Sequence, residues 1–400
     1  MHAIDRPEDL GFSSSRLARI HDFLADRYVG SRYPGTSVAV VRQGSVAYVD
    51  HQGYEPDAVV RLYSMTKAIT SVALMTFYEE GRFHLDDPVW HFIPSWRNLR
   101  VYAGGSVDSF TTRAAEREMT VRDLLTHCSG LTYDFLGDHP VAELYRRRGV
   151  QGLPGGRLSL AEMVDVVAEL PLQFTPGTQW NYSISTDICG RLCEILGGAP
   201  LDEVLQSRVL GPLGMTDTAF SVTADRAERL VPCFAYAGAD HPMMQVDAGG
   251  AASQFAIAPT FLSGGGGLTG TLADYVRFAE MVRRGGEFDG ARVLGRKTVE
   301  FMAANHLPSG DDLASMGRPT FNESIMTGVG FGLGFAVMLD PSRAQTVASR
   351  GELAWGGAAS TYFWIDPVED LTVVFLTQLL PSSRYPLRRE LRQLVYQALI

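Results

Sequence analysis

Ser64 and Lys67 stand one helical turn apart in "LYSMTKAITSVALMTFYEEG". Lysine is scarce in this chain of 400 residues. Only Lys67 and Lys297 occur, and the rest of the 35 Lys and Arg are arginines. A serine hydroxyl is a poor nucleophile until a neighbouring base takes its proton. A lysine amine can be that base where burial or a nearby positive charge lowers its pKa. An arginine cannot, because it keeps its proton in proteins. The segment after Ser64 is apolar nearly all the way round, which predicts a buried helix stopping near Gly81. Ser64 then falls at or near the helix N-terminus, where free N–H groups and positive partial charge favour a developing oxyanion. Lys67 shares its face. Ser-x-x-Lys alone is a weak motif, and a surface lysine is the plain alternative.

Two distant segments add partners. In "TPGTQWNYSISTDICGRL", Tyr182 and Ser183 lie just ahead of a predicted helix. A phenol there can carry a proton to a leaving group; a core tyrosine with a satisfied hydroxyl is the commoner fate. In "RGELAWGGAASTYFWID", Trp355-Gly356-Gly357 precedes a strand. Glycines at such a place let a backbone approach a ligand closely. An edge strand here would offer the N–H of Ala358 as a second oxyanion donor beside that of Ser64, where otherwise there is a plain turn.

The elements that must position these groups read as follows. "SSSRLARIHDFLADRYVG" is an amphipathic helix with Leu17, Ile20 and Leu24 on one face. "TSVAVVRQGSVAYVDHQG" is a pair of strands turning at Gln43-Gly44. Residues 330–339, 360–366 and 371–379 are β-like runs, and "PLRRELRQLVYQAL" closes the chain as a helix. Between them, "TVRDLLTHC", "SLAEMVDVVAEL", "TDICGRLCEILGG" and "LDEVLQSRVLG" are helical. Strands at both ends with helices between predict an α/β (α+β) fold. One antiparallel sheet is built from 1–80 and 250–400, a mainly helical lobe is inserted over 81–249, and a cleft between them holds the site.

Composition bounds the partners. The net charge of −10 argues against nucleic acid or an anionic membrane surface. The longest apolar runs are too short to span a bilayer, and the N-terminal stretch has acidic residues and no apolar core, so the expected location is the cytoplasm. Cys128, Cys189, Cys193 and Cys233 are expected to be inert, mostly buried thiols. The nine histidines form no metal-ligand pattern, so no metal is predicted, and no cofactor. "GVGFGLGF" and "SGGGGLTG" lack dinucleotide and phosphate-loop signatures, and Lys297-Thr298-Val299 sits in a predicted helix. His127 is expected to be structural, and no Gly-x-Ser-x-Gly surrounds any serine.

Together the three segments resemble the serine β-lactamase and penicillin-binding-protein superfamily. Ser64-Met65-Thr66-Lys67 matches its Ser-x-x-Lys motif. Tyr182-Ser183-Ile184 stands where the class C branch has Tyr-x-Asn, and Trp355-Gly356-Gly357 where β-lactamases have Lys-Thr-Gly. The pattern is most similar to that of the family VIII carboxylesterases, with "LLTHCSGLTYDF" and "SGGGGLTGTLADYVRFAEMV" in accord, from about residue 10 to the C-terminus. The resemblance implies a β-lactamase/transpeptidase-like fold with catalytic Ser64, Lys67 and Tyr182. It implies an oxyanion hole from the N–H groups of Ser64 and Ala358, and substrate contacts from Trp355, Gly356 and Gly357. Trp355 and Gly356 supply neither the charge nor the hydroxyl of Lys-Thr-Gly, and Ile184 cannot hydrogen-bond an acylamide. Short neutral esters are therefore expected over β-lactams, with weak β-lactam hydrolysis still open. An acyltransferase, an amide hydrolase and a non-catalytic sensor on the same fold are the alternatives. The pocket walls are expected from 130–155 and 220–262.

Overall fold

Seven strands from the two ends of the chain form one antiparallel sheet: β1 (Thr36–Arg42), β2 (Ser45–Gln52), β3 (Val329–Phe331), β4 (Ala336–Met338), β5 (Leu353–Gly356), β6 (Tyr362–Asp366) and β7 (Leu371–Leu376). Their spatial order is β3-β4-β5-β6-β7-β1-β2. In this computed structural model, which describes residues 6–151, 156–240, 243–317 and 326–400, β1 pairs with β7 from Ser37↔Leu376 to Arg42↔Leu371. The β1–β2 turn is made by Gln43 and Gly44, both left-handed at φ 52° and 80°. That conformation matches the twist of a two-residue hairpin.

Strand alternation explains why the sheet is covered on both sides. Val38, Val40, Val373 and Phe375 face one way, against Ile20 and Leu24 of α1 (Arg19–Arg27) and Leu387, Leu391 and Val395 of α5 (Leu387–Tyr396). Ala39, Val41, Val374 and Leu376 face the other way and join the core of α2 (Thr66–Glu79), α3 (Ser185–Gly197) and α4 (Leu272–Arg283). A strand packed on both faces reads as a continuous apolar run, and every residue of β7 is buried. Each such aliphatic side chain contributes roughly 1.5–3 kcal/mol.

The structure refines the sequence reading in two places. Residues 330–339 are not one strand: the run breaks at Gly332-Leu333-Gly334 and returns as the β3–β4 hairpin. The intervening segment also carries strands, a hairpin of Arg100–Ser106 and Ser109–Ala114 and a pair at Cys233–Ala235 and Met244–Asp247. The 100–114 hairpin lacks apolar alternation because most of both its faces is exposed. Among the described residues no helix is long and apolar enough to cross a membrane. The stretch read for a leader begins in residues 1–5, outside the described residues. Residues 152–155 and 241–242 of the expected pocket walls lie outside them too.

Candidate active site

Ser64 is delivered to the cleft by a short, heavily tied segment. Val60–Arg61 pairs with Thr269–Gly270, and the Leu62 N–H donates to the Leu268 carbonyl at 2.9 Å. The fully buried Arg61 anchors the approach through an ion pair with Asp247 and a hydrogen bond to the Val231 carbonyl at 2.7 Å. Tyr63 then adopts φ 45°, a sparsely populated conformation for a bulky residue. Strain of this kind, of order 1–3 kcal/mol, persists only where surrounding structure imposes it. Ser64 follows in a single 3-10 turn, Tyr63–Met65, that leads directly into α2. The Tyr275 hydroxyl donates to the Met65 carbonyl at 3.0 Å and pins the turn.

One helical turn on, Lys67 is only 2% exposed. Its Nζ donates to the Gly265 carbonyl at 2.6 Å and to Ser64 Oγ at 3.2 Å. It also lies over the rings of Tyr182, 4.6 Å from the centroid, and Tyr133, 5.4 Å. Among the described residues no carboxylate comes within ion-pair distance of it. Tyr182 arrives just ahead of α3, which packs against α2, and its hydroxyl donates to Ser64 Oγ at 2.6 Å. The serine oxygen is thus bracketed by an amine and a phenol.

A second layer holds these groups. Asp187, fully buried on α3, accepts from Ser263 Oγ at 2.6 Å and from the Gly265 N–H at 2.9 Å. It thereby fixes, through its N–H, the same residue whose carbonyl accepts from Lys67. Burial pushes its carboxyl up to about 6, against the opposing pull of the Lys67 charge. Burial, reinforced by Tyr182, pushes the Tyr133 phenol well above its ordinary value. His127 packs its ring 4.9 Å from that of Tyr182 and contacts Ser183 Oγ at 3.2 Å. Burial, then the Lys67 charge, holds its imidazole well below the usual histidine range, which leaves it neutral.

Trp355, Gly356 and Gly357 approach from the sheet side. The sequence suggested an edge strand here. In fact β5 is internal, with β4 on one flank and β6 on the other. Only Leu353 and Ala354 pair with β4, so Trp355 and Gly356 run past the end of that short neighbour toward the cleft. A side chain at Gly357 would strike the Leu62 carbonyl at 2.3 Å and Thr361 Oγ1 at 2.2 Å. Absence of a Cβ is what lets the end of β5 meet the loop entering Ser64. Among the described residues the Ala358 N–H has no hydrogen-bond partner. Ser64, Tyr182, Trp355 and Ala358 line one cavity of about 420 Å³ whose surface is mostly apolar.

The walls of that cavity differ from the expectation. Tyr133 and Phe135 come from 130–155, and Ala235 and Tyr236 from 220–262, but most of the lining comes from residues 326–392. The β3–β4 hairpin and α5 reach the cleft because sheet pairing carries the C-terminal end there, which local sequence does not reveal. Lys297 lies on the surface in the helix Arg296–Met302, paired with Glu300. All four cysteines are buried free thiols. "SGGGGLTG" serves as the loop that presents Gly264 and Gly265 to α2. Sequence reasoning missed Asp187, Gly265 and Tyr133. The signals available were a lone carboxylate on the buried face of α3 and the segments "SGGGGLTG" and "LLTHCSGLTYDF", which hold Gly265 and Tyr133.

Known proteins resemble this chain in sequence and fold. A profile of the Beta-lactamase family matches residues 20–397. Esterase EstB of Burkholderia gladioli is 30% identical over 98% of both chains. Acyltransferase calJ of Penicillium decumbens is 28% identical over 81% of this chain and 77% of its own. The solved structure of EstCE1, described as a hydrolase with promiscuous acyltransferase activity, superimposes with a TM-score of 0.80 at 25% identity. It covers 98% of this chain and 99% of that one. With fold, extent and sequence in accord, the chain belongs to the Beta-lactamase family, as a hydrolase of the serine, acyl-enzyme type.

Proposed function

We propose that this protein is a serine carboxylesterase that cleaves neutral, short-acyl esters through an acyl-enzyme on Ser64. The observation that carries this reading is the bracketing of Ser64 Oγ by Lys67 Nζ and Tyr182 OH, with Ser64 and Tyr182 lining a mostly apolar cavity. Ser64 Oγ attacks the ester carbonyl and its proton passes to the Lys67–Tyr182 pair. The backbone N–H groups of Ser64 and Ala358 hold the oxyanion. The pair returns the proton to the departing alkoxide, so an alcohol leaves and an acyl-serine remains. Water then attacks, gives a proton to the pair, and the acid is released as Ser64 Oγ is reprotonated. Lys67 and Tyr182 act as one coupled acid–base unit.

Two features support neutral esters. Trp355 and Gly356 bring no charge or hydroxyl to the end of β5, and the fully buried Ile184 brings no amide. A cavity of about 420 Å³ is in the range that encloses a drug-sized molecule, so a bulky alcohol half fits beside a short acyl group. The acyltransferase relative favours a second reading, in which a bulky alcohol replaces water as acceptor of the same acyl group.

The test is incubation of the protein and of Ser64→Ala with p-nitrophenyl butyrate, following nitrophenol release and intact mass. Turnover with a transient butyryl adduct, both lost in the variant, is expected. Absence of turnover and of adduct in the native protein would sink the esterase reading. Product analysis with an added alcohol separates transfer from hydrolysis.

A further inference from the structure

Resting on the oxyanion hole proposed above, we infer that Arg388 of α5 is a positioning residue that aims the Ala358 N–H at the reacting carbonyl. The turn that carries Ala358 runs from Gly357 to Thr361. It closes through the Ser360 N–H on the Gly357 carbonyl at 3.1 Å and the Gly357 N–H on the Thr361 carbonyl at 2.9 Å. Arg388 clamps both ends of it. Its Nη2 donates to the Gly357 carbonyl at 3.1 Å and to the Thr361 carbonyl at 3.0 Å.

The consequence follows from peptide geometry. The Gly357 carbonyl and the Ala358 N–H belong to one planar trans peptide, so they point in opposite directions. Holding the carbonyl against the guanidinium turns the N–H away from the guanidinium nitrogen, within the cavity that Ala358, Ser64 and Arg388 all line. A cation on the carbonyl also polarises the peptide and strengthens the N–H as a donor. The guanidinium carbon itself lies 4.9 Å from the Tyr362 ring centroid.

This arrangement gives Gly356 a reason of its own. A Cβ there would lie 2.4 Å from Arg388 Nη2 and 2.6 Å from its guanidinium carbon. In Trp355-Gly356-Gly357 the first glycine therefore admits Arg388 and the second admits the loop of Ser64. Together with Ala358, the three residues form one side of a backbone oxyanion device braced by Arg388, in place of a side-chain anchor for substrate.

The test compares native protein, Arg388→Ala, Arg388→Lys and Ser64→Ala with p-nitrophenyl butyrate, together with inhibition by an alkylboronic acid, whose tetrahedral serine adduct mimics the transition state. A displaced donor costs less than a deleted one, so Arg388→Ala is expected to lower kcat by about 10–10²-fold with KM little changed. The boronate inhibition constant should rise by the same factor. Arg388→Lys, which offers a charge without the planar fork, should move both quantities together by a smaller factor, and it carries the test if the alanine variant does not fold. An unchanged kcat in Arg388→Ala, or a fall in kcat with no change in boronate affinity, overturns the assignment and leaves Arg388 a structural clamp. Full turnover by Ser64→Ala is a different failure, of the acyl-enzyme reading itself.

Discussion

The two lysines of this chain sit in helices of opposite kind. Lys297 projects from the surface helix Arg296–Met302 with a side chain 78% exposed and Glu300 beside it. Lys67 lies inside α2, where every residue from Thr66 to Phe77 is buried, and its ammonium meets a carbonyl, a serine oxygen and two aromatic faces. A hydrated ammonium on a flexible stem makes an exposed pair worth little. A dehydrated one must have each proton placed, and its placement on Ser64 is what makes proton exchange possible. The chain uses arginine almost everywhere else. At position 297 that exchange of side chain keeps the exposed charge, and at position 67 it replaces an amine that can exchange a proton with a guanidinium that cannot.

The largest expected effect tests that contrast directly. Lys67→Arg should lower kcat toward p-nitrophenyl butyrate by about 10³-fold, the middle of the range for a lost acid–base group. Lys297→Arg should leave kcat as it is, and equal losses in the two variants would break the comparison. Tyr182→Phe removes the second partner of Ser64 Oγ and should cost about 10²-fold in kcat, with KM nearly constant. A rise in KM alone would make Tyr182 a wall of the pocket and not part of the proton path.

The buried surroundings of Lys67 should also respond to pH where the surface helix does not. Burial raises the Asp187 carboxyl in the folded state to about 6, above its ordinary 3.8. The stability contributed by its protonated form is complete below about pH 4 and is lost as the pH rises through 6. Asparagine cannot ionise. Relative to native protein, Asp187→Asn should therefore gain on the order of 2 kcal/mol in unfolding free energy between pH 4 and 8. Denaturant unfolding at both pH values measures this, and a pH-independent difference would mean that Asp187 is not raised. The smallest effect belongs to the surface: Lys297→Ala should change the unfolding free energy by less than about 0.5 kcal/mol.

Ser64, Lys67, Tyr182 and Trp355 are legible in sequence because each is fixed by local rules. Helical periodicity puts Ser64 and Lys67 on one face, and a turn ahead of a helix places Tyr182 at its start. The meeting of Lys67 Nζ and Tyr182 OH on one serine oxygen, at 3.2 and 2.6 Å, is not local. It depends on α3 packing against α2 and on the 263–270 loop crossing both. The 100–114 hairpin escaped notice because an exposed hairpin carries no apolar alternation. The cavity walls were assigned mostly to the wrong segments because they come from short strands and a terminal helix brought in by the sheet.

By itself, then, the amino-acid sequence determined the sheet made from both chain ends, the buried helix behind Ser64, and a serine with a lysine one turn away. These follow from periodicity, turn residues and side-chain chemistry, all properties of neighbouring residues. Only the tertiary structure decided that Gly265 and Asp187 hold Lys67, that β5 is internal with its tip free, and that Arg388 braces the turn of Ala358. Those contacts join residues tens to hundreds of positions apart. A carbonyl or a guanidinium carries no mark in sequence of the partner that folding will bring to it.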